Sequence, residues 1–327
     1  MKVGILGAGM IVHDMFIHEV EGVELIGICA LPVEQEKIEI LAKEHHIANT
    51  YIEYDEMLKN DDIEVIYIAV NNHLHYEMSM KALKAHKHVI CEKPFTSHIK
   101  ELEELNAYAK KENLLLLEAI STQYLPNVLK IKELLNEVGD VKIVSANYSQ
   151  YSSRYNAFKE GQILPAFDYK KSGGALMDLN IYNIHFLVAL FGEPKDVYYQ
   201  ANIEKGIDTS GIITLNYGNF KAVLVGAKDC KAPIMTSVQG DQGCILLDTP
   251  ANNVSNFQLL KNDKRVFQYN EQDGKHRMYF EFVEFVKIID KKDYQRAQDM
   301  MEKSLIAMTI ATKARQSANV IFSADIN

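Results

Sequence analysis

Two polar segments directly follow apolar runs that have the composition of buried β-strands. One is "AVNNHLH" at residues 69–75, and the other is "CEKPF" at residues 91–95. In open α/β sheets ligands bind outside the carboxyl ends of the strands, so polar side chains there are candidates for chemistry. A lysine ammonium at such an end can stabilise a developing alkoxide. The two segments are therefore the first candidates for site residues.

A second polar group interrupts the apolar run "GGALMDLNIYNIHFLVALFG" at residues 173–192. The run predicts one buried helix over 175–191, and Asp178, Tyr182 and His185 have the i, i+4, i+7 spacing that places them on one face. Burial of an unpaired carboxylate in such a helix would be expensive. Two interpretations stay open: a satisfied buried hydrogen-bond network, or a face that lines a substrate site.

The N-terminal stretch "VGILGAGMIV" fits the G-x-G-x-x-G/A frame of a dinucleotide-binding turn, because it follows an apolar run and opens a helical pattern. Gly7 is expected to make the tight turn, and Gly9 to let the backbone approach a pyrophosphate at a helix N-terminus. Val12 stands where a small residue is usual, so the match is degraded. The predicted cofactor contacts at this turn are Gly7, Gly9, Met10 and Ile11.

In a dinucleotide-binding fold, the residue at the end of the second strand contacts the ribose of the cofactor. In this motif an acid there bonds the 2′-hydroxyl of NAD, whereas an arginine accommodates the 2′-phosphate of NADP. Here residues 29–32 read "CALP" and offer neither group. The sequence predicts NAD or NADP as the cofactor without choosing between them.

The elements that must position these residues change character near residue 120. Before it, apolar runs alternate with segments of helical spacing, which indicates βαβ units and a doubly wound parallel sheet. After it come longer alternating strands with hairpin turns such as Tyr217-Gly218-Asn219, as in an antiparallel sheet. A helix is predicted over 124–137, and two amphipathic helices, at about 276–290 and 296–317, close the chain.

The chain of 327 residues is too long for one ordinary domain. We predict an α/β protein with an N-terminal dinucleotide-binding Rossmann domain over 1–120. Residues 121–327 are predicted to form a substrate and oligomerisation domain, an α/β domain with an open, mostly antiparallel sheet. The last helix can pack back on the first domain.

Composition narrows the class of protein. A net charge of −9 argues against a nucleic-acid partner, which needs a basic surface. No apolar run reaches the roughly 18 to 20 residues that a membrane span needs, and no signal peptide is predicted. Four scattered cysteines without a C-x-x-C pair indicate reduced thiols and a cytoplasmic location. The histidine pairs lack carboxylate or thiolate companions at ligand spacing, so no metal site is predicted.

The segment "EVIYIAVNNHLHYEMSMKALKAHKHVICEKPF" at 64–95 resembles the Gfo/Idh/MocA oxidoreductase family, whose members carry N-x-x-H after the fourth strand and E-K-P after the fifth. The stretches "EAISTQYLP" at 118–126 and "SGGALMDLNIYNIHFLVALFGEP" at 172–194 extend the resemblance over nearly the whole chain. It implies an NAD(P)-dependent oxidoreductase that acts on a secondary alcohol or its ketone in a sugar, polyol or cyclic diol.

The resemblance also implies roles for the strand-end residues. The nicotinamide would lie over Glu92-Lys93-Pro94, with Lys93 aimed at the ligand, and the peptide before Pro94 is often cis in the family. Asn72, His75 and Glu92 would fix the nicotinamide end.

The chain is similar to a tyrosine-bearing subset that includes dihydrodiol dehydrogenases and glucose–fructose oxidoreductase. By that resemblance Tyr182 is the catalytic acid/base, Lys93 stabilises the alkoxide, and Asp178 holds Lys93 or a substrate hydroxyl. The chain departs from the subset at Asn180, where glycine is usual, and at Gln123, where arginine is frequent. These departures leave the substrate open. His185 and Arg154 are further candidates for substrate contacts.

Two other functions remain possible at this point. Some relatives keep the nucleotide fold and only regulate partners, but they tend to lose the E-K-P lysine that this chain keeps. A lyase or glycosidase that uses tightly held NAD is the other. The open sheet further predicts a homodimer or homotetramer formed through that sheet, because a bare apolar face would promote aggregation.

Overall fold

The structure, a computed structural model, describes residues 1–9, 12 and 20–326. Met10 and Ile11, two predicted cofactor contacts, lie outside the described residues, as does most of the helix predicted after the first strand. The chain divides into two compact units. The units are Met1–Ala119 with Met278–Leu305, and Ile120–Arg277 with Ile306–Asn327.

The first unit contains a parallel sheet, which has six strands within the described residues. Its strands are β1 (Lys2–Leu6), β2 (Glu24–Cys29), β3 (Asn49–Tyr51), β4 (Val65–Ile68), β5 (His88–Glu92) and β6 (Leu116–Ala119). The helices between them include α1 (Gln35–Glu44), α2 (Tyr54–Leu58), α3 (His75–Lys84) and α4 (Ile99–Lys111). The strand order β3-β2-β1-β4-β5-β6 is that of a Rossmann fold. From β1 the chain adds strands on one side of the sheet up to β3, and then on the other side from β4 to β6.

The apolar sequence of these strands follows from their position. All four residues of β4 are buried, as expected for a parallel strand that is covered on both faces. The apolar runs "KVGIL" at 2–6 and "HVICE" at 88–92 each predict a strand, and β1 and β5 have those bounds. Strand β3 and helix α2 were not predicted from the sequence, because each is short, mostly solvent-accessible and without an apolar run.

The second unit is built on an eight-stranded sheet within its described residues, in the order β14-β13-β12-β11-β7-β10-β9-β8. Its strands are β7 (Val141–Ser149), β8 (Asp196–Glu204), β9 (Ile207–Asn216), β10 (Lys221–Ala227), β11 (Met235–Gly240), β12 (Gly243–Leu247), β13 (Phe257–Lys261) and β14 (Val266–Tyr269). Only the β7–β10 pair is parallel among these strands, so the predicted fold class is confirmed. Strands β11, β13 and β14 were not predicted from the sequence.

The remaining helices are divided between the two units. They include α5 (Pro126–Glu133), α6 (Tyr155–Lys159), α7 (Ile181–Phe191), α8 (Tyr279–Lys291) and α9 (Tyr294–Ser317). The first three of these belong to the second unit, α8 belongs to the first, and α9 crosses the boundary after Leu305. The helix predicted over 124–137 is shorter, because α5 gives way to a 3₁₀ turn at Leu135–Val138. The predicted hairpin at Tyr217-Gly218-Asn219 joins β9 to β10, with Gly218 at φ 92°.

The helix predicted over 175–191 is not regular. Residues Leu176–Asn180 form a π turn, and only then does α7 continue as an α-helix. A π turn closes i→i+5 hydrogen bonds and so contains one residue more than an α-helical turn. Tyr182 and His185, three residues apart within α7, have the spacing of one helix face, and Asp178 lies within the π turn itself.

One helical segment of the described chain, Tyr169–Phe191, is long and apolar enough to cross a membrane by length and composition alone. Of its most apolar window, 89% is buried inside the protein. A buried core helix has the same properties, so this segment is weak evidence for a membrane span.

Candidate active site

The glycine turn after β1 packs against the end of β4. Gly7 has φ 119°, donates its N–H to the carbonyl oxygen of Cys29 at 2.8 Å, and has no room for a β-carbon, which would overlap the carbonyl oxygen of Ala69. Gly9 is exposed, and a β-carbon there would meet nothing closer than 3.9 Å. Gly7 is thus required by the fold, whereas the bare backbone at Gly9 leaves the space that a pyrophosphate would need.

Val12, the degraded position of the glycine motif, is buried, and its N–H donates to the carbonyl oxygen of Gly9 at 3.0 Å. The first turn after the glycines is thus closed even though the third motif position carries a branched side chain. The turn fits a dinucleotide in its described part.

A lysine that sequence reasoning missed lies at this turn. The ammonium of Lys37, from the first half of α1, donates to the carbonyl oxygen of Ala8, and Glu34 is 3.9 Å away. Ala30 is buried, whereas Leu31 is 66% exposed. The strand end itself therefore supplies no polar group for a ribose, but a cation from the following helix is beside the glycine turn.

His75 joins the two polar strand ends. It is fully buried, and its Nδ1 lies 2.8 Å from the carbonyl oxygen of Pro94 while its Nε2 lies 3.1 Å from that of Val70. Burial lowers the pKa of His75 and the charge of Lys93 lowers it further, against the two carbonyl contacts that raise it. Both ring nitrogens contact backbone, so the side chain fixes the E-K-P turn relative to the end of β4.

The E-K-P turn presents one half-buried cation beside a buried carboxylate. Lys93 is half-buried, and the Lys93–Pro94 peptide is cis, as the resemblance implied. Glu92 is buried and accepts a hydrogen bond of 2.5 Å from the hydroxyl of Tyr67 on β4, a partner that the sequence did not suggest. Asn72 is half-buried and begins the 3₁₀ turn Asn72–Leu74, which lies between β4 and α3.

In the second unit, Asp178 forms an ion pair that sequence reasoning also missed. Its Oδ2 accepts a hydrogen bond of 2.7 Å from Nζ of Lys228, the residue that directly follows β10. The ammonium also donates to the carbonyl oxygen of Ala166 at 2.7 Å and lies over the ring of Phe167. The carboxylate of Asp178 in the π turn is therefore ion-paired with a lysine at the end of a sheet strand.

The start of the same helix is held by a buried acid, Asp208 of β9. Its Oδ2 accepts the N–H of Leu176 at 2.7 Å and the hydroxyl of Tyr199 at 2.9 Å. Burial raises the pKa of Asp208 to about 6, although both hydrogen bonds and the charge of Lys228 oppose the rise. Gly174, at φ 101°, has no room for a β-carbon beside the Asp208 carboxylate, which explains the second glycine of "SGGALMD".

Tyr182 and His185 are buried on α7. The ring of Tyr182 lies 6.2 Å from that of Tyr148, measured between centroids. Nδ1 of His185 lies 2.7 Å from Nε2 of Gln123, and that pair is buried too. The departure from arginine at position 123 thus places an uncharged amide against the candidate substrate histidine.

Asn180, the other departure, ties the π turn to the sheet. Its Nδ2 donates to the carbonyl oxygen of Leu224, and its Oδ1 accepts from Nδ2 of Asn183, which also contacts the carbonyl oxygen of Val225. A β-carbon at Gly226 would lie 2.8 Å from that of Asn180. A glycine on β10 therefore makes room for the asparagine on the helix.

Arg154 is half-buried and precedes α6, whose aromatic residues stack on one another. Its segment runs beside the end of β10, because the N–H of Ser152 donates to the carbonyl oxygen of Lys228 at 2.8 Å.

No group of three or more His, Cys, Asp or Glu side chains is placed to hold a metal ion in the part of the chain that the structure describes.

Two family models match the chain. One, GFO_IDH_MocA, described as an oxidoreductase family with an NAD-binding Rossmann fold, matches residues 1–120. The other, the GFO/IDH/MocA C-terminal domain, matches residues 128–246.

Relatives match at full or nearly full length. The chain is 34% identical to scyllo-inositol 2-dehydrogenase (NADP(+)) IolU of Bacillus subtilis (strain 168) over 99% of both proteins. It is 28% identical to trans-1,2-dihydrobenzene-1,2-diol dehydrogenase of Danio rerio, over 75% of this chain and 73% of that protein. Both relatives are named as dehydrogenases.

Among solved structures, KijD10, a 3-ketoreductase from Actinomadura kijaniata in complex with NADP and TDP-benzene, superposes with a TM-score of 0.84. The superposition covers 97% of this chain and 98% of that one at 19% identity, which establishes a shared fold.

Proposed function

We propose, on the premise that this chain belongs to the GFO/IDH/MocA family of oxidoreductases, that it transfers a hydride between NAD or NADP and a secondary alcohol or ketone of a cyclic polyol, sugar or cyclic diol. Family membership confirms the resemblance drawn from the strand-end motifs. The name of the Bacillus relative makes inositol-like polyols the first substrates to test.

The observation that carries the proposal is the continuous carboxyl edge of the Rossmann sheet. Gly7 packs on Ala69, and His75 connects Val70 to Pro94, so the glycine turn, the end of β4 and the E-K-P turn form one connected surface. Ligands of open α/β sheets bind at this edge. Lys93 and the open backbone at Gly9 both belong to this edge, which supports the proposal.

The chemistry follows from the residue types. A bound nicotinamide supplies the hydride acceptor or donor, and the protein supplies orientation and electrostatics. We assign Tyr182 the exchange of the hydroxyl proton, Lys93 the stabilisation of the alkoxide, and Asp178 a hydrogen bond to a substrate hydroxyl. The residues proposed to hold the cofactor are Gly7, Gly9, Asn72, His75, Glu92 and Lys93, together with Met10 and Ile11, which lie outside the described residues. His185 and Arg154 are assigned to the substrate.

A panel of inositols, hexoses, polyols and cyclic diols with NAD and NADP, followed at 340 nm, tests the proposal. We expect reduction of the cofactor by at least one cyclic polyol. Lys93→Met should lose about 3 to 5 kcal/mol of transition-state stabilisation with little change in cofactor affinity, as for other lost electrostatic donors. Lys81→Met, on the exposed face of α3, is the matched control and should keep wild-type turnover. Wild-type rates in Lys93→Met would remove Lys93 from the mechanism.

The same assay separates the two other functions. A lyase or glycosidase with tightly held NAD would convert substrate without net change of the cofactor. A non-catalytic regulator would bind the nucleotide and show no turnover with any member of the panel.

We also propose a homodimer or homotetramer formed through the outer face of the second sheet. Cross-strand register places Tyr198, Thr214 and Val223 in one row of that face, and Ile143 in the next row beside Lys221. Tyr198 and Ile143 are about half exposed, and a shallow cavity of about 350 Å³ lies between these rows. An apolar face of this kind is typical of a protein–protein interface.

Sedimentation equilibrium tests the assembly. We expect a dimer or tetramer for the wild type, and a shift toward monomer for Tyr198→Glu combined with Ile143→Glu, because two charges would then be buried at the interface. Ile40→Glu, at an exposed position on α1, is the control. A wild-type monomer at micromolar concentration would rule out the assembly.

A cytoplasmic location is part of the proposal. Cys29, Cys91, Cys230 and Cys244 are free thiols in the structure, and free thiols persist in reducing compartments. Fractionation of the source cells, with detection of the native protein, tests this location.

A further inference from the structure

Lys228 combines deep burial with an accessible anionic partner. Its side chain is 2% exposed, whereas that of Asp178 is 37% exposed. The ammonium is held from three sides, by Oδ2 of Asp178, by the carbonyl oxygen of Ala166 and by the ring of Phe167 at 4.6 Å from its centroid. A buried ammonium needs such partners, and the carboxylate in turn gains a cation fixed in place.

The carboxylate that Lys228 holds is on the one irregular turn of its helix. Asp178 belongs to the π turn Leu176–Asn180, and π turns are frequent at functional sites. Within this turn the Asp178 carboxylate is held by its contact with Lys228.

Other charges around the pair act on the same ammonium. Asp208, at the start of β9, interacts electrostatically with Lys228 and binds the hydroxyl of Tyr199 on β8. Asp229, the next residue after Lys228, accepts hydrogen bonds from the hydroxyls of Thr209 and Ser210 at 2.8 Å each. These acids have hydrogen-bond donors of their own, and Asp178 is the acid that Lys228 contacts directly at 2.7 Å.

We infer that Lys228 is a positioning residue that keeps the Asp178 carboxylate ionised and aimed at the substrate hydroxyl. The inference rests on the proposed function, because it deepens the role assigned there to Asp178. Lys228 itself does not touch the substrate; it acts through Asp178.

The first test compares two buried lysines. Lys228→Met removes the ammonium and keeps most of the side-chain volume. Lys87→Met is the matched control, because Lys87 is also buried and donates to two carbonyl oxygens, those of Asn60 and Ile63, in the first unit. With the best substrate of the panel, Lys228→Met should lower kcat/KM 10- to 100-fold and move the acidic limb of its pH profile up by one unit or more. Lys87→Met should leave that limb in place.

A double-mutant cycle shows whether Lys228 acts through Asp178. If it does, Lys228→Met/Asp178→Asn should be within about threefold of Asp178→Asn alone, because the second change removes nothing further. Multiplicative losses would overturn the inference. Lys228→Arg, which keeps the charge, should retain the wild-type position of the acidic limb.

A measurement without turnover separates this inference from the proposed function. The protein is labelled with ¹³Cγ-aspartate, and the Asp178 signal is assigned by its loss in Asp178→Asn. In the wild type this carboxylate should still be mostly ionised at about pH 3.9, the ordinary midpoint of an aspartate, because the nearby ammonium of Lys228 favours the charged form. A wild-type signal that is half protonated at that pH would overturn the inference, even if Lys228→Met failed to fold. If the Asp178 signal is that of an ionised carboxylate but the protein has no dehydrogenase activity, the ion pair is supported and only the proposed function is rejected.

Discussion

Nε2 of Gln123 lies 2.7 Å from Nδ1 of His185, and both side chains are buried. An amide nitrogen only donates hydrogen bonds, so Nδ1 of His185 must accept. This pairing leaves the N–H of the imidazole on Nε2. Gln123 thereby makes His185 a hydrogen-bond donor on its far side, which suits the hydroxyl oxygen of an uncharged substrate.

Gln123→Met should raise KM about 5- to 30-fold with a smaller effect on kcat, because the lost hydrogen bond no longer selects the His185 tautomer, at about 1 to 2 kcal/mol. Steady-state kinetics on the best polyol measure this. Asn127→Leu is the control, since that buried amide bonds backbone groups of Val254 and Glu271. It should lower stability and leave KM unchanged. If both variants changed KM equally, the effect would be structural and His185 would lose its substrate role.

Cofactor preference should depend on Lys37, the cation at the glycine turn. Wild-type discrimination between NAD and NADP should stay within about a hundredfold, because the end of β2 carries neither acid nor arginine. Lys37→Met should reduce the ratio of kcat/KM for NADP to kcat/KM for NAD by about 10- to 100-fold. This factor corresponds to the loss of one charge-assisted hydrogen bond to the 2′-phosphate. Lys43→Met, exposed in the last turn of the same helix, is the control.

An acid introduced after β2 should shift the preference toward NAD. Ala30 is buried, so an aspartate there would be desolvated, and the exposed Leu31 is the better position. Leu31→Asp should raise the NAD preference by offering an acceptor to the 2′-hydroxyl. An unchanged ratio in both Lys37→Met and Leu31→Asp would mean that another residue reads the ribose.

The strand ends and the glycine turn could be predicted from the sequence because their signals are local. Each apolar run, and each polar residue that ends it, is contiguous along the chain. The pattern of the first 120 residues therefore predicted a parallel Rossmann sheet, and the alternation beyond them predicted the mostly antiparallel sheet of the second unit.

The partners of the site residues could not be predicted, because they are distant along the chain. Lys228 follows Asp178 by 50 residues, and Asp208 follows Leu176 by 32. The π turn was missed for a related reason. An extra residue in one turn leaves no signature in an apolar run, and it is stabilised here by tertiary contacts such as that of Asn180 with Leu224.

Asp208 should make stability depend on pH in the direction opposite to most acids. Its folded pKa of about 6 lies above the ordinary value of 3.8, so the folded state binds the extra proton between these values. The free energy of unfolding should therefore fall as pH rises from about 4 to 6, by about 2 to 3 kcal/mol. Asp208→Asn should lack this contribution. Urea denaturation at several pH values, compared between wild type and variant, measures it. A constant difference across that window would show that Asp208 does not titrate there.

Tyr182→Phe separates a core tyrosine from a catalytic one, because phenylalanine keeps the ring and removes only the hydroxyl. A core role predicts a loss of about 1 kcal/mol of stability for a missing hydrogen bond and unchanged chemistry. The acid/base role predicts an intact fold, intact cofactor binding and a fall in kcat of about 10² to 10⁴.

The pH profile of the reduction direction makes the Tyr182 test specific. There the tyrosine must start protonated, so wild-type activity should fall at high pH, and Tyr182→Phe should lose that basic limb. Tyr148→Phe is the matched control, because its ring is buried 6.2 Å from that of Tyr182. It should keep both kcat and the limb. An unchanged kcat with unchanged pH dependence in Tyr182→Phe would contradict the acid/base role of Tyr182. Lys93 or His185 would then be the group that exchanges the proton.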